Sequence, residues 1–248
     1  MLSKTYIKYI QSLHHKKFRD EEGLFLAEGF KVVSDILSAG KFVCKSIIIT
    51  PNELPEVELA LLKSFDTEII EAQDFELAKI STLTTPNKVL AVFSKSEMQS
   101  VSPKGKISLL LDSIQDPGNM GTIIRIADWF GIENIVCSRH CAEIYNPKVV
   151  QSTMGSIARV NIFYTDVVEW LQNNKGIVKT YAATLQGKNL FEIDPISEGI
   201  ILIGNESKGI NDNLIQLADY KVTIPKYGNA ESLNAAVATG ILVSHFIR

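Results

Sequence analysis

Three polar clusters in this chain contain residue types that reactions need. In Asp116-Pro117-Gly118-Asn119-Met120-Gly121-Thr122-Ile123-Ile124-Arg125, a carboxamide and a guanidinium stand on or just before an apolar helix. Such groups can hold an anion or stabilise developing negative charge. Glu206 lies between Gly204 and Gly209, just past the apolar run 200–203. Glu231, Ser232 and Asn234 fall where a closing helix, expected from residue 231, would begin; a helix start offers unpaired N–H groups and a place for capping side chains. Each cluster also has a plainer use: a surface arginine pairing with an acid, a solvated turn, and the cap of a buried helix.

Periodicity supplies the elements that must position these clusters. Beyond residue 107 the chain alternates strand and helix: strands at 107–111, 134–137, 159–163, 178–183, 200–203 and 220–224, and helices at 121–130, 147–153, 167–173, 213–217 and from 231. Strands with nearly continuous Ile, Leu and Val between helices predict a parallel sheet covered on both faces, with ligands beyond the carboxyl ends of its strands. Ahead of it, helices at 6–13, 28–38, 59–65 and 74–80 and strands at 23–27, 45–49, 68–70 and 89–93 predict a smaller α/β unit. Residues 94–106 turn polar. The expected division is therefore a first domain over 1–94, a linker over 95–106 and a second domain over 107–248.

Composition narrows the function. With 248 residues, 46% hydrophobic and 21% charged, this is an ordinary globular chain. No apolar run approaches the roughly 20 residues that span a bilayer, and the first residues carry no signal-peptide core, so a cytoplasmic protein is expected. Three cysteines make no disulfide framework. Cys137 and Cys141 flank His140, but a fourth ligand is missing, so no metal is expected. The formal net charge of −3 excludes a uniformly basic surface. A nucleic-acid partner would need a local cationic cluster, and His14-His15-Lys16-Lys17-Phe18-Arg19 is one, although a solvated helix end reads the same way. The glycine patterns of a P-loop or a dinucleotide fold are absent, which counts against a nucleotide- or flavin-binding enzyme.

Taken together and in this order, the stretches Asp116–Ala127, Gly204–Gly209 and Ile224-Pro225 followed by Ser232-Leu233-Asn234-Ala235 resemble the SpoU (TrmH-like) family of RNA ribose 2′-O-methyltransferases, of the SPOUT class. Residues 145–155 look like that family's intermediate segment. Residues 22–31 look like the RNA-binding domain, similar to ribosomal protein L30, that many members carry in front. The resemblance implies an α/β chain with a smaller L30-like domain and a parallel-sheet SPOUT domain tied in a trefoil knot. It implies S-adenosylmethionine as cofactor, held mostly by main chain at Thr184, Leu185, Gly204, Ile224, Leu233 and Asn234. Gly204 is expected to matter by lacking a Cβ where the cofactor approaches. Gln151 and Ser207 depart from the family, which often has Arg and Gly there.

The resemblance also implies catalysis by Arg125, Asn119, Glu206, Ser232 and Asn234. A ribose hydroxyl must lose its proton as it attacks a methyl group. Arg125, too basic to act comfortably as a base, is expected to clamp the neighbouring phosphate, with Asn119 holding it and Glu206 paired to it. Lys16, Lys17 and Arg19 are expected to contact RNA phosphates. The RNA is expected to be ribosomal, of the large subunit, in preference to tRNA; a catalytically idle RNA-binding module is the remaining alternative. The closing helix, apolar around more of its circumference than one buried face requires, suggests a homodimer through the second domain.

Overall fold

The structure is a computed structural model and describes residues 1–247. The chain packs as two compact units, residues 1–97 with 143–159, and residues 98–142 with residue 160 onward. Residues 143–159 thus leave the second unit and are counted in the first.

The first unit opens with α1 (Lys4–Ser12) and α2 (Lys16–Glu22), followed by β1 (Leu24–Glu28), α3 (Phe30–Ala39), β2 (Cys44–Ile49), α4 (Glu56–Lys63), β3 (Glu68–Glu71), α5 (Asp74–Ile80) and β4 (Val89–Ser94). Its four-stranded sheet has the order β1-β4-β2-β3, with only β2 and β3 parallel. Alternation along β1 splits the core. Leu24 and Leu26 join Ile10, Leu13, Leu77 and Ile80 of the helices on one face. Phe25 points to the other face, its ring 5.0 Å from that of Phe42 and 4.9 Å from that of Tyr145. Helix α2 was not expected. It starts within the basic cluster, and Gly23 ends it in the left-handed region at φ 66°.

In the second unit, β5 (Ile107–Leu111), α6 (Pro117–Trp129) and β6 (Asn134–Ser138) come first. Helix α7 (Pro147–Thr153) lies in the excursion that belongs to the first unit. The second unit resumes with β7 (Asn161–Thr165), α8 (Val167–Asn173), β8 (Thr180–Asn189), β9 (Gly199–Ile203), α9 (Asp212–Leu217), β10 (Tyr220–Thr223) and α10 (Ala235–Phe246). All six strands are parallel, in the order β10-β8-β9-β5-β6-β7. Trp170 and Leu171 of α8 and Leu214 of α9 pack with Leu110, Val136, Ala182 and Leu202 of the sheet. On the sheet's other side α10 packs against α6, and Phe246 lies 5.0 Å from the ring of Tyr181. The nearly continuous apolar runs of the central strands β5 and β9 follow from this double cover.

Two boundaries differ from expectation in ways that matter. Strand β8 runs on to Asn189 instead of ending near residue 183. Helix α10 starts at Ala235, because Asn234 takes the cap position and its side-chain oxygen accepts from the N–H groups of Ala236 and Val237. Glu231 and Ser232 therefore stay in the preceding loop. Among the described residues no helix is long and apolar enough to cross a membrane.

Candidate active site

The carboxyl ends of β8, β9 and β10 enclose a cavity of about 750 Å³, within the size range of small-molecule sites. Its first wall is a bulge. Adjacent residues Lys221 and Val222 of β10 pair with Ala182 and Lys188 of β8, so residues 183–187 leave the ladder. Their backbone groups are thereby released from strand pairing, and Ala183, Thr184, Leu185 and Gln186 line the cavity. Thr184 Oγ1 donates to the carbonyl of Gln186 and steadies the excursion. The bulge can close only at a glycine: a Cβ on Gly187 would lie 2.5 Å from the carbonyl oxygen of Lys221.

The second wall is the loop after β9. Asn205 and Gly209 exchange backbone hydrogen bonds of 3.1 and 2.9 Å, and the side chain of Asn205 accepts from the N–H groups of Ser207 and Lys208. Serine at 207 is thus accommodated through its backbone. A Cβ on Gly204 would meet the backbone of Gly209 and Ile210 at 2.4 Å, so closure of the loop on itself already requires glycine there. The loop is tied down by residues that the motifs did not flag. Asn205 Nδ2 donates to the carbonyl of Ser113, and the buried Asp112 carboxylate accepts from Asn211 N–H and Ser113 Oγ. Ser113 holds this position with φ 59°, an uncommon conformation for serine. Only the Asp-Ser pair at a strand end hinted at it.

The third wall, residues 224–233, runs from the end of β10 to the cap of α10 and brings Ile224, Ser232 and Leu233 to the cavity. Thr184, Leu185, Gly204, Ile224 and Leu233, assigned to one ligand by resemblance, line this one space.

Asn119 joins the three motifs. It sits in the first turn of α6, whose cap Asp116 accepts from Asn119 N–H at 2.8 Å and is followed by Pro117. Its Nδ2 donates to Glu206 Oε1, and its Oδ1 accepts from Asn234 Nδ2 at 2.8 Å. Asn234 in turn caps α10. One amide thus fixes the Glu206 loop and the entry to α10 against the start of α6.

Arg125 and Ser232 are not part of this network. Arg125 is exposed on α6, six residues beyond Asn119, and among the described residues no hydrogen bond or ion pair joins it to Asn119 or Glu206. The expected Arg125–Glu206 pair is corrected to Asn119–Glu206, because the carboxylate reaches the first turn of the helix and not its middle. Ser232 lies exposed on the cavity wall.

Arg19 requires a larger correction. Its side chain is 2% exposed, donates to the carbonyls of Leu13 and His14, and forms an ion pair with Glu143. It is a buried strut of the first unit and no phosphate contact, because helix α2 turns it inward. Lys16 and Lys17 are exposed but pair along α2 with Asp20 and Glu21.

Cys137 and Cys141 are both buried, and burial pushes the Cys137 thiol well above its ordinary range. Among the described residues no group of three or more His, Cys, Asp or Glu side chains could hold a metal ion.

Fold and site together define an α/β protein that binds a small molecule beyond the ends of a parallel sheet, in walls made largely of main chain. The model of the SpoU rRNA methylase family matches residues 106–244, and that of an MRM3-like substrate binding domain matches residues 4–91. The chain belongs to the SpoU rRNA methylase family, of the SPOUT class of RNA methyltransferases, and the parallel-sheet unit has the fold of that class. It is 31% identical to the Bacillus subtilis (strain 168) 23S rRNA (guanosine(2553)-2′-O)-methyltransferase RlmP over 96% of this chain and 94% of that one. Identity is 30% to the 23S rRNA (uridine(2479)-2′-O)-methyltransferase of Streptomyces viridochromogenes, over 93% and 85% of the two chains. Among solved structures, a putative RNA methyltransferase of the TrmH family from Porphyromonas gingivalis superposes with a TM-score of 0.85 at 34% identity, covering 99% of this chain and 98% of that one. The SpoU methyltransferase AviRb from Streptomyces viridochromogenes, in complex with AdoMet, superposes with a TM-score of 0.87 at 26% identity over 99% and 97% of the chains.

Proposed function

We propose that this enzyme transfers a methyl group from S-adenosylmethionine to a ribose 2′-hydroxyl of 23S ribosomal RNA. The observation that carries the reading is the cavity lined from residues 183–186, 204–210 and 224–233 and braced by the Asn119–Glu206–Asn234 network. A site built from backbone released from strand pairing fits the cofactor's adenosine, whose polar edges suit main-chain donors and acceptors, while Leu185, Ile224 and Leu233 suit its apolar surface. S-adenosylmethionine supplies an electrophilic methyl group on a sulfonium sulfur. The protein must therefore place the ribose hydroxyl, manage its proton and exclude water.

Arg125 is assigned the phosphate next to the target ribose. Its planar fork binds a phosphate in two-point fashion, and among the described residues no hydrogen bond or ion pair occupies that fork. Glu206, held by Asn119, is the carboxylate at the cavity wall, and Ser232 offers a hydroxyl from the facing loop. Asn234 keeps that loop in register with α6. Lys16 and Lys17 of the front unit are assigned outer phosphates.

The active assembly is a homodimer through the second unit. Val237 in the first turn of α10 is 51% exposed, Ile241 one turn further on is half-buried, and Trp129 at the end of the adjoining α6 is 83% exposed. Exposed apolar residues on two helices packed against each other fit a second copy of the same surface. Its location is the cytoplasm, in keeping with ribosomal RNA as substrate and with three unpaired thiols.

The test incubates the full chain with S-adenosylmethionine and unmodified 23S rRNA or tRNA, then maps ribose methylation. One 2′-O-methyl group in the rRNA is the expected result. Methylation of tRNA alone would overturn the substrate, and cofactor binding without transfer to either RNA would favour an idle RNA-binding module. Light scattering at micromolar concentration should give twice the chain mass, and Val237→Asp should return a monomer.

A further inference from the structure

The cavity has an outer lip that the methyl-transfer chemistry described above leaves without a role. Tyr227 lies in the loop between β10 and α10, lines the cavity, and is 92% exposed. Among the described residues its hydroxyl has no hydrogen-bond partner and its ring no aromatic neighbour. Single exposed apolar residues are ordinary, so exposure alone decides nothing. The setting does. Lys226 is its chain neighbour, and Lys208 and Lys221 line the same cavity. None of the three lysines is in an ion pair among the described residues.

The loop that carries Tyr227 is fixed at both ends. On one side it follows the last pair of the β10 ladder, Thr223 with Asn189, and on the other it enters α10 through the Asn234 cap bound to Asn119. The aromatic side chain is thereby held at the mouth of the site although it packs against nothing. An unstacked aromatic ring among cations is the composition that binds single-stranded nucleic acid, because every base has a face to stack and every linkage a charge to neutralise. A ribose that must present its 2′-hydroxyl at a recessed cavity belongs to a nucleotide drawn out of its stack, and its base then needs a new surface.

We infer that Tyr227 is a substrate-contacting residue that stacks on the base of the nucleotide being methylated, with Lys226 beside it at the flanking phosphate. The inference rests on the RNA reading of the site. It assigns Tyr227 to positioning the nucleotide and not to chemistry or to cofactor binding. The hydroxyl is dispensable on this account, because the ring face makes the contact.

The experiment compares Tyr227→Ala and Tyr227→Phe with the parent, as full chains, on an rRNA fragment containing the mapped nucleotide. Expected for Tyr227→Ala is a rise of about tenfold in the RNA dissociation constant and in KM, the size of one lost base stack. Calorimetric affinity for S-adenosylmethionine and the melting temperature should stay at the parent values, and Tyr227→Phe should restore RNA affinity. A fragment abasic at the methylated nucleotide should bind the parent and Tyr227→Ala equally. Unchanged RNA affinity in Tyr227→Ala, a penalty undiminished on the abasic fragment, or a loss of cofactor binding would each overturn the inference while leaving the methyltransferase reading intact. A parent protein that neither binds nor methylates the fragment would bring down both.

Discussion

The cavity end of the second unit and the amino-terminal helices of the first unit treat their polar residues in opposite ways. At the cavity, few charges are spent on structure. Walls form from a strand that skips five residues, a loop closed on glycine, and one asparagine bridging two helix starts. In α2 the charged residues are consumed internally: Arg19 is buried against Glu143, Lys95 pairs with Asp20, and Lys16 and Lys17 pair along the helix. The comparison teaches that a run of cations in a sequence reports a surface only after the helix phase is known. A glycine or asparagine at a strand end reports geometry directly.

The largest effect should come from the region read at first as surface. Arg19→Ala removes the buried member of an ion pair, leaves Glu143 only its 3.7 Å pairing with Lys95, and takes the donor from the carbonyls of Leu13 and His14, which should destabilise the protein by about 3 kcal/mol in denaturant unfolding. A variant as stable as the parent would mean that Arg19 is exposed after all, and the contrast between the two regions would collapse.

Next comes Arg125. Arg125→Ala and Arg125→Lys should each lower single-turnover methyl transfer about 10²-fold or more, with calorimetric affinity for S-adenosylmethionine unchanged, since neither keeps the two-point contact with phosphate. Transfer near the parent rate would remove Arg125 from the mechanism.

Gly204→Ala should follow. With backbone atoms 2.4 Å from the new Cβ, the loop after β9 must open, at an expected cost of about 1–3 kcal/mol and a marked loss of cofactor affinity. If stability fell but affinity did not, the loop would be structural only.

Asn234→Ala should cost about 1 kcal/mol through the lost cap of α10 and release Asn119 as well. Asn234→Asp sharpens the point: it keeps the cap acceptor, drops the donor to Asn119, and should retain stability while losing transfer rate. Equal rates for parent and Asn234→Asp would show the Asn119 bridge to be idle.

The smallest effect belongs to Lys16 and Lys17. Replacing both with Ala should weaken RNA binding uniformly and reduce the salt slope by about one per lysine if they meet phosphates. An unchanged slope would mean that their pairing with Asp20 and Glu21 occupies them fully. Point variants suit this question better than removal of residues 1–94, because residues 143–159 are part of the same unit.

Much of this protein could be read before any coordinates. Periodicity marked the parallel sheet because strands covered on both faces must be apolar throughout, as Leu109, Leu110 and Leu111 are. Gly204 and Gly209 marked a tight loop, and Ser-Leu-Asn marked a helix start, because backbone geometry and capping are local properties written in residue type. What residue type could not decide was which local pieces meet. The pairing of Glu206 with Asn119, the part taken by Asp112, Ser113 and Asn205, and the bulge at residues 183–187 all depend on strands brought side by side from distant parts of the chain. Even the start of α10 shifted by four residues, because Asn234, and not Glu231, had the geometry to cap it. Arg19 went from surface to interior for the same reason: its burial is set by what packs over α2, and Glu143 lies 124 residues further along the chain.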